Sequence, residues 1–244
     1  MIYDIYTVAW KEWKEYVQQE RTRRIGPLRG LLFVAAGGVF LGWQVDPDFG
    51  RSGLTVLLTS FLSIMFVTTV VPDSFAGERE RHTLETLLAS RLPDRAILLG
   101  KVAAAVSYGW AIALAVLPAG IIAANLIHGF AGMPWVDPYI LLASAATSLL
   151  AGLLIAAIGV LISMYVPTAR QAHQRLGFVI MVLFMTPAVL LPTLPAAWLD
   201  RLIDGFERLG VERAVAAGLA LLAVAGVALL GVAMARFRRA RLIL

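Results

Sequence analysis

The chain has 244 residues, of which 59% are hydrophobic and only 15% charged, and its formal net charge is +5. A soluble domain usually carries about 25% charged residues, so this composition points to lipid rather than water as the main solvent. Because the sequence contains no cysteine, disulfide bonds and thiolate metal sites are excluded.

The opening stretch, residues 1–26, is predicted to be a cytoplasmic amphipathic helix. Apolar and charged side chains alternate at helical spacing, which is typical of a helix lying in the membrane interface with its tryptophans at headgroup depth and its charges in water. The apolar face comprises Ile2, Ile5, Tyr6, Ala9, Trp10, Trp13 and Val17, and the opposite face Lys11, Glu12, Lys14 and Glu15. The segment "RRIGPLRG" then separates this helix from the apolar remainder.

Six charge-free runs follow, and we interpret residues 27–244 as one domain of six transmembrane helices. A span needs roughly 20 helical residues, and every run but the first reaches that length; Arg29 can snorkel to extend the first run back toward Ile25. The runs are Gly30–Val45, Ser52–Pro72, Val102–Val136, Pro138–Ala169, Leu176–Leu199 and Ala214–Ala235. The sequence therefore predicts an all-α integral membrane protein.

The basic residues predict the orientation. All but four of the 21 lysines and arginines lie before the first span, between the second and third, between the fourth and fifth, or after the sixth. The four exceptions are Arg51, Arg201, Arg208 and Arg213. Since loops retained in the cytoplasm are enriched in lysine and arginine, both termini and the loop between the second and third spans are predicted to be cytoplasmic.

Two spans carry local features of their own. The fourth has small residues four apart, in the pairs Ser144/Ser148, Gly152/Ala156 and Gly159/Ser163, and such stripes let helix backbones approach closely, either within one subunit or at a dimer seam. In the fifth, Pro187, Pro192 and Pro195 are expected to interrupt the helix. A re-entrant or interfacial element is therefore predicted on the outer face, at about residues 187–212.

The loop Phe75–Lys101 is the most highly charged segment of the chain. Leu84, Leu87 and Leu88 form one apolar face of a short helix predicted at about residues 74–93, which Asp73 or Ser74 can cap at its start and Pro93 ends. Retention in the cytoplasm needs only basic residues, yet glutamates are interspersed among them. Mixed charge at this density suits docking on a partner protein, and a solvated surface loop is the alternative reading.

The motif "ERERHTLETLL" at residues 78–88, followed by Pro93 and by "GK" at the start of a span, resembles the signature of type-2 ABC transporter permeases. The matching positions are Glu78, Glu80, Thr83, Leu84, Glu85, Leu88, Gly100 and Lys101. His82 stands where the family usually has glycine, so a straighter local helix is expected there. Members have six spans, an N-terminal elbow helix and cytoplasmic termini, so the resemblance covers essentially the whole chain.

The resemblance implies a permease subunit of an ATP-driven exporter in the bacterial or archaeal cytoplasmic membrane. A separate dimeric ABC ATPase would bind ATP and Mg²⁺ and dock on the loop, and a second permease copy or a paralogue would complete the conduit within the lipid bilayer. The coupling residues would be Glu78, Arg79, Glu80, Thr83, Leu84, Glu85 and Leu88, and the conduit or dimer interface would include Thr55, Thr59, Ser63 and Thr69. Packing hydroxyls bonded to their own helix are the alternative for the second set.

The chain lacks the residues for chemistry of its own. The sequence "LLGKVA" at residues 98–103 has neither the earlier glycine nor the hydroxyl of a phosphate-binding loop, so no ATPase motif, catalytic residue, cofactor or nucleic-acid partner is predicted. His82, His128 and His173 lie in different segments and predict no metal site. Lys101, at the start of the third span, is predicted to snorkel, with its ammonium group reaching the membrane interface. A secondary transporter or channel, or a non-transporting membrane scaffold, remains the alternative function.

Overall fold

Helices account for the regular structure throughout the described part of the chain. The computed structural model describes residues 1–22, 32–40, 53–83, 91–128 and 137–237, and these ranges contain no strand. The helices are α1 (Ile2–Thr22), α2 (32–40), α3 (Gly53–Glu80), α4 (Asp94–His128), α5 (Pro138–Ser163), α6 (Ala169–Thr193), α7 (Ala196–Leu209) and α8 (Val211–Arg236). The prediction of an all-α protein is confirmed for these residues.

The helix boundaries follow from local sequence signals. Asp137 caps α5 by accepting a hydrogen bond from the Tyr139 N–H at 2.9 Å, and Pro138 occupies the first turn, where its missing donor costs nothing. The Thr168 hydroxyl oxygen caps α6 by accepting from the Gln171 N–H. Helix α4 begins at Asp94, directly after Pro93.

Five of the described helices are long and apolar enough to cross a membrane. They are Gly53–Glu80, Asp94–Ile127, Pro138–Ser163, Ala169–Thr193 and Arg213–Arg236, and they correspond to the second to sixth predicted spans. Of the first predicted span only residues 32–40 are described, and these are helical. The count of six spans and the cytoplasmic position of the termini therefore stay predictions.

Helix α3 lies at the centre of the core, packed along α4 and α5. Val67 and Val71 of α3 are fully buried against apolar residues of both neighbours. A Cβ on Gly152 would lie 3.0 Å from the Ser63 Oγ, and one on Gly159 would lie 2.8 Å from a Val71 methyl group. The small-residue stripe of the fourth span thus lets α5 approach α3, which confirms its predicted use in packing within one subunit.

Helices α6 and α8 leave much of their apolar surface uncovered. In α6, residues 181–193 are all exposed, among them Phe184, Met185 and Leu190. In α8, Leu221, Val224 and Val227 are likewise exposed. A helix that is apolar all round needs lipid or another protein around it, which is the condition of a transmembrane segment.

The expected start of a separate helix at Asp73 or Ser74 is wrong. Neither Asp73 nor Ser74 caps a separate helix, because α3 continues through a π-helical turn at Asp73–Gly77 to Glu80, and the Ser74 hydroxyl donates to the Val70 carbonyl within that helix. A π turn absorbs one extra residue and lets the helix continue past the irregularity around Pro72.

The prolines of the fifth span do not break α6 where expected. Pro187 and Pro192 both lie inside the helix, which ends only at Thr193, just before Pro195. Membrane helices tolerate interior proline because the freed carbonyls can be satisfied by nearby hydroxyls or by local adjustment. The 14-residue helix α7 follows, and its predicted re-entrant or interfacial placement stays a prediction.

Candidate functional site at the basic end of the bundle

Helix ends from most of the chain meet at one end of the bundle. The ends of α3, α5 and α8 and the beginnings of α4 and α6 lie together there, and α1 packs across the side of α4 next to them. We call this region the basic end, because it carries Arg79, Arg81, Arg91, Arg95, Arg170, Arg175 and Arg236. It is the end predicted to face the cytoplasm.

Gly100 sets the distance between α1 and α4. A Cβ at this position would lie 2.6 Å from the Val8 Cβ and 3.0 Å from the Ile5 carbonyl oxygen, so any larger residue would push the two helices apart. Val8 itself is almost completely buried in this contact. The glycine of the "GK" pair is therefore explained by the close approach of two backbones.

Lys101 is fully buried and paired with two carboxylates. Its ammonium group donates to Glu12 Oε1 at 2.8 Å and to Glu78 Oε1 at 2.7 Å. The exposed fractions of the three side chains are 0% for Lys101, 2% for Glu12 and 14% for Glu78. Two sequence expectations are thus wrong: Lys101 does not snorkel to water, and Glu12 does not lie on a wet face of α1.

Lys11 extends this network, which then contains two cations and three anions, because Lys11 also pairs with the exposed Glu15 at 3.1 Å. Its ammonium group lies 3.4 Å from Glu12 Oε1 and 3.8 Å from Glu78 Oε1, the same two oxygens that bind Lys101. Partial burial lowers the pKa of Lys11, but Glu12, Glu15 and Glu78 outweigh that effect and raise it above its ordinary value. Lys11 therefore stays charged and offsets the second of the two carboxylates that Lys101 binds, which limits the desolvation cost of burying them.

Tyr16 and Ser74 close the other side of this network. The Tyr16 and Ser74 hydroxyl oxygens lie 2.8 Å apart, and the Tyr16 hydroxyl donates a long bond of 3.4 Å to Glu12 Oε2. Burial, together with the negative charge of Glu12, raises the pKa of Tyr16, so the phenol remains a neutral donor. The π turn is thereby tied to α1 as well as to α4.

Glu12, Glu15 and Glu78 approach one another closely enough to resemble a metal site. Lys101 and Lys11 already lie between these carboxylates and pair with all three of them. The arrangement is that of a structural ion-pair network rather than of a cation-binding site.

Arg79 binds the end of α5. Its guanidinium donates to the carbonyl oxygens of Ser163 at 3.1 Å, Met164 at 3.5 Å and Val166 at 3.1 Å. The last carbonyls of a helix have no partners within that helix and carry partial negative charge. A single cation thus satisfies several acceptors where α5 ends.

Glu80 binds the start of α6, so that a negative charge meets the beginning of one helix where the positive Arg79 meets the end of another. Its Oε2 accepts a hydrogen bond from the Ala169 N–H at 3.1 Å, at the first residue of the helix. The first N–H groups of a helix are unpaired and carry partial positive charge, so a carboxylate is favourable there. Glu80 itself remains exposed.

A turn directly follows Glu80. His82 has φ 57°, in the left-handed region, and Arg81, His82 and Thr83 are all exposed. The expected straighter helix at His82 is therefore wrong, since histidine takes up the turn that glycine usually makes at some local cost. Leu84, Glu85 and Leu88 lie outside the described residues, so their coupling role stays a prediction.

The four predicted conduit residues do not share one environment. Thr55, Thr59 and Ser63 are buried inside the subunit, and the Thr59 hydroxyl donates to the Thr55 and Val56 carbonyls of its own helix. Only Thr69 is exposed, with its hydroxyl bonded to the Phe66 carbonyl. The first three thus pack within the subunit, and a conduit or dimer-interface role for any of the four stays a prediction.

No local sequence pattern predicts the contact between Glu12 and Lys101. Glu12 and Lys101 are 89 residues apart, and Glu12 sits among other charges on a helix whose face toward α4 is set by Val8 and Gly100. The one available signal was Lys101 itself, a lone charge just inside a long apolar run, where a partner is the usual way to lower the cost of burial.

The geometry of the described residues supports mechanical linkage between helices and contact with another protein. Five charged residues of this region are paired with each other or with helix ends, and no nucleophile–base pair occurs among them: Glu12, Glu78, Arg79, Glu80 and Lys101. Residues 3–202 match the family model described as ABC-2 type transporter. No curated protein sequence matches the chain significantly.

Proposed function

We propose that this chain, which belongs to the ABC-2 type transporter family, works as the membrane permease of an exporter that a separate ATPase drives. Membership makes it a transmembrane permease subunit without an ATPase of its own. The proposal adds that two permease copies, or one copy and a paralogue, form the conduit. It also adds that the loop 75–101 receives the ATPase, which binds ATP and Mg²⁺, and that the membrane is the cytoplasmic membrane of a bacterium or archaeon.

The observation that carries the docking proposal is the exposed charged surface directly after α3. Arg81, His82 and Thr83 are exposed on a turn whose base is held by the buried Glu78–Lys101 pair and by Arg79. A charged surface on a rigid base suits specific association, since charge complementarity sets the register of two partners. Arg91 and Arg95 extend this exposed surface on the far side of the loop.

The mechanism follows from a two-state switch. ATP binding would close the ATPase pair and displace both loops, and each loop would tilt its bundle between inward-open and outward-open arrangements. The ligand can drive this change only through its different affinity for the two states. The uncovered apolar surface of α6, together with Thr69 on α3, is available for the second permease chain.

The decisive test is co-purification with an ABC ATPase encoded beside this chain. Charge reversal at Glu78, the obvious variant, would not isolate docking, because Glu78 is an internal ion-pair partner of Lys101. Arg81→Glu instead reverses the charge of an exposed residue of the turn. Arg201→Glu is the matched control, because it reverses the charge of an exposed arginine of α7 on the predicted outer face. We expect Arg81→Glu to weaken ATPase binding and Arg201→Glu to leave it unchanged.

The outcome also separates the alternative functions. A chain that co-purifies with no ATPase and transports under a proton gradient after ATP depletion would be a secondary transporter. Equal ATPase binding by Arg81→Glu and Arg201→Glu would place the docking surface elsewhere. An ATPase that binds but is not stimulated in nanodiscs by any candidate substrate would favour a non-transporting scaffold.

A further inference from the structure

The residues at the end of α3 contact four other helices of the same chain and the residue that follows a fifth. Glu78 pairs with Lys101 of α4, which also binds Glu12 of α1; Arg79 binds the end of α5; and Glu80 binds the first residue of α6. The Phe75 ring contacts Phe237, directly after α8, edge to face, with centroids 6.3 Å apart. We call Phe75, Glu78, Arg79 and Glu80 the α3 joint.

We propose that the α3 joint is an internal transmission element, and that Glu78, Arg79 and Glu80 act by holding the bundle to the loop rather than by touching the ATPase. This inference rests on the proposed function, which it deepens by dividing the charged motif into two parts. The part up to Glu80 binds this chain, and the part from Arg81 onward binds the partner.

The contacts of Arg79 are the strongest argument for the first part. Its guanidinium spans three carbonyl oxygens, on Ser163, Met164 and Val166. A side chain that already donates to three backbone acceptors of its own subunit is not available to a partner. Any displacement of Arg79 therefore has to move the end of α5 or break these bonds.

Glu80, the next residue along the chain, accepts a hydrogen bond where Arg79 donates them. Arg79 binds carbonyls at the end of α5 and Glu80 binds an N–H at the start of α6, so the two charges hold both sides of the connection between these helices. Each charge has the sign that the adjoining helix end favours. Reversing either charge would oppose the helix dipole as well as lose a hydrogen bond.

The π turn determines which neighbouring helices the residues after it face. Because the turn at Asp73–Gly77 takes up one residue more than an α-helical turn, it rotates the residues that follow relative to the face of α3. Glu78 then points toward α1 and α4, whereas Arg79 and Glu80 point toward the connection between α5 and α6. Ser74, Phe75, Ala76 and Gly77 are buried, so the turn is held by packing on several sides.

The test measures transmission separately from docking, in the assembled complex with the ATPase. Because the natural chain has no cysteine, Leu194→Cys places a single reactive thiol between α6 and α7, at the end of α6 far from the joint. The rate at which a membrane-impermeant maleimide alkylates this thiol, with and without ATP and Mg²⁺, reports movement at that end. ATPase co-purification and the rate of ATP hydrolysis report docking.

Four variants are compared in the Leu194→Cys background. Arg79→Gln removes the contacts to α5; Glu80→Ala removes the acceptor for the Ala169 N–H; Glu80→Gln keeps an acceptor oxygen; and Arg81→Gln changes the exposed neighbour. We expect Arg79→Gln and Glu80→Ala to retain bound ATPase and hydrolysis while losing the ATP-dependent change in alkylation rate. Glu80→Gln should restore much of that change, and Arg81→Gln should weaken docking instead.

Three results would overturn the inference. Loss of the ATPase by Glu80→Ala would show that Glu80 faces the partner, and an unchanged ATP response in both Arg79→Gln and Glu80→Ala would show that the bundle moves without the joint. If Arg79→Gln fails to fold, Glu80→Ala alone decides, because an exposed side chain with one hydrogen bond is a mild change. If the parent chain itself binds no ATPase, the proposed function fails first and the inference falls with it.

Discussion

At the scale of single residues, the buried pairing of Lys101 is the feature with the clearest energetic consequence. Two carboxylates and an ammonium group are removed from water together, and the direct contacts of 2.7 and 2.8 Å offset that cost only while all three are present. A network of this kind adds little net stability compared with apolar packing. Its removal in part is costly, because the remaining charges stay buried without compensation.

Lys101→Met should therefore destabilise the protein by about 3–5 kcal/mol, since it leaves Glu12 and Glu78 buried with only the partly exposed Lys11 beside them. The measurement is the free energy of unfolding in mixed micelles titrated with sodium dodecyl sulfate. Arg95→Met, an exposed change on the same helix, serves as the control and should shift it by no more than about 0.5 kcal/mol.

A triple variant tests whether the lost stability comes from the carboxylates that are left buried without a partner. Combining Lys101→Met with Glu12→Gln and Glu78→Gln removes every buried charge of the central group, so most of the lost stability should return. If Lys101→Met were as stable as Arg95→Met, the ion pairs would not be what holds α1, α3 and α4 together.

At the scale of helices, the contact between α1 and α4 depends on Gly100. Gly100→Ala would place a methyl group 2.6 Å from the Val8 Cβ and 3.0 Å from the Ile5 carbonyl, which is backbone and cannot swing away. Overpacking of this kind typically costs about 1–3 kcal/mol. The displaced α1 would also carry Glu12 away from Lys101.

The effect is measured as the melting temperature of the purified protein, which should fall for Gly100→Ala. Gly218→Ala is the matched control on α8, because a Cβ there meets no atom within 4 Å and alanine favours a helix over glycine. Equal melting temperatures for the two variants would mean that α1 is not held against α4 at Gly100.

Local sequence signals were enough for the course of most helices but not for their contacts. Long apolar runs predict the spans because burying backbone in lipid demands helices, and the five described spans follow that rule. The breaks expected at Ser74 and Pro187 failed, since a π turn and the membrane environment let α3 and α6 continue. Interior signals such as proline are weaker in lipid than in water.

The sequence was enough to predict where the site lies, but not which partners its side chains contact. The density of charge between two apolar runs marked residues 75–101, and the resemblance supplied a role for them. Glu78 turns inward to Lys101, which also binds Glu12 from 89 residues away, and Arg79 turns inward to the end of α5, more than 80 residues after it. Pairings over such distances are set by tertiary packing, which no local pattern encodes.

At the scale of the whole molecule, the chain is a permease whose basic end joins nearly every described helix into one unit. Glu12, Lys101, Glu78, Arg79 and Glu80 tie α1, α3, α4, α5 and α6 together there. The opposite half of α6 is exposed on all sides. Force applied at the basic end would thus reach the bundle as a whole, while the exposed half of α6 remains free to contact lipid or a second chain.

The most direct test of this account is site-specific crosslinking of the exposed turn to the ATPase. A photoactivatable label on Thr83→Cys is compared with one on Asp204→Cys, an exposed position of α7 on the predicted outer face. The absence of natural cysteines makes each label unique. We predict a covalent adduct with the ATPase from Thr83→Cys and none from Asp204→Cys; an adduct only from Asp204→Cys, or from neither in a complex that still hydrolyses ATP, would contradict coupling through the basic end.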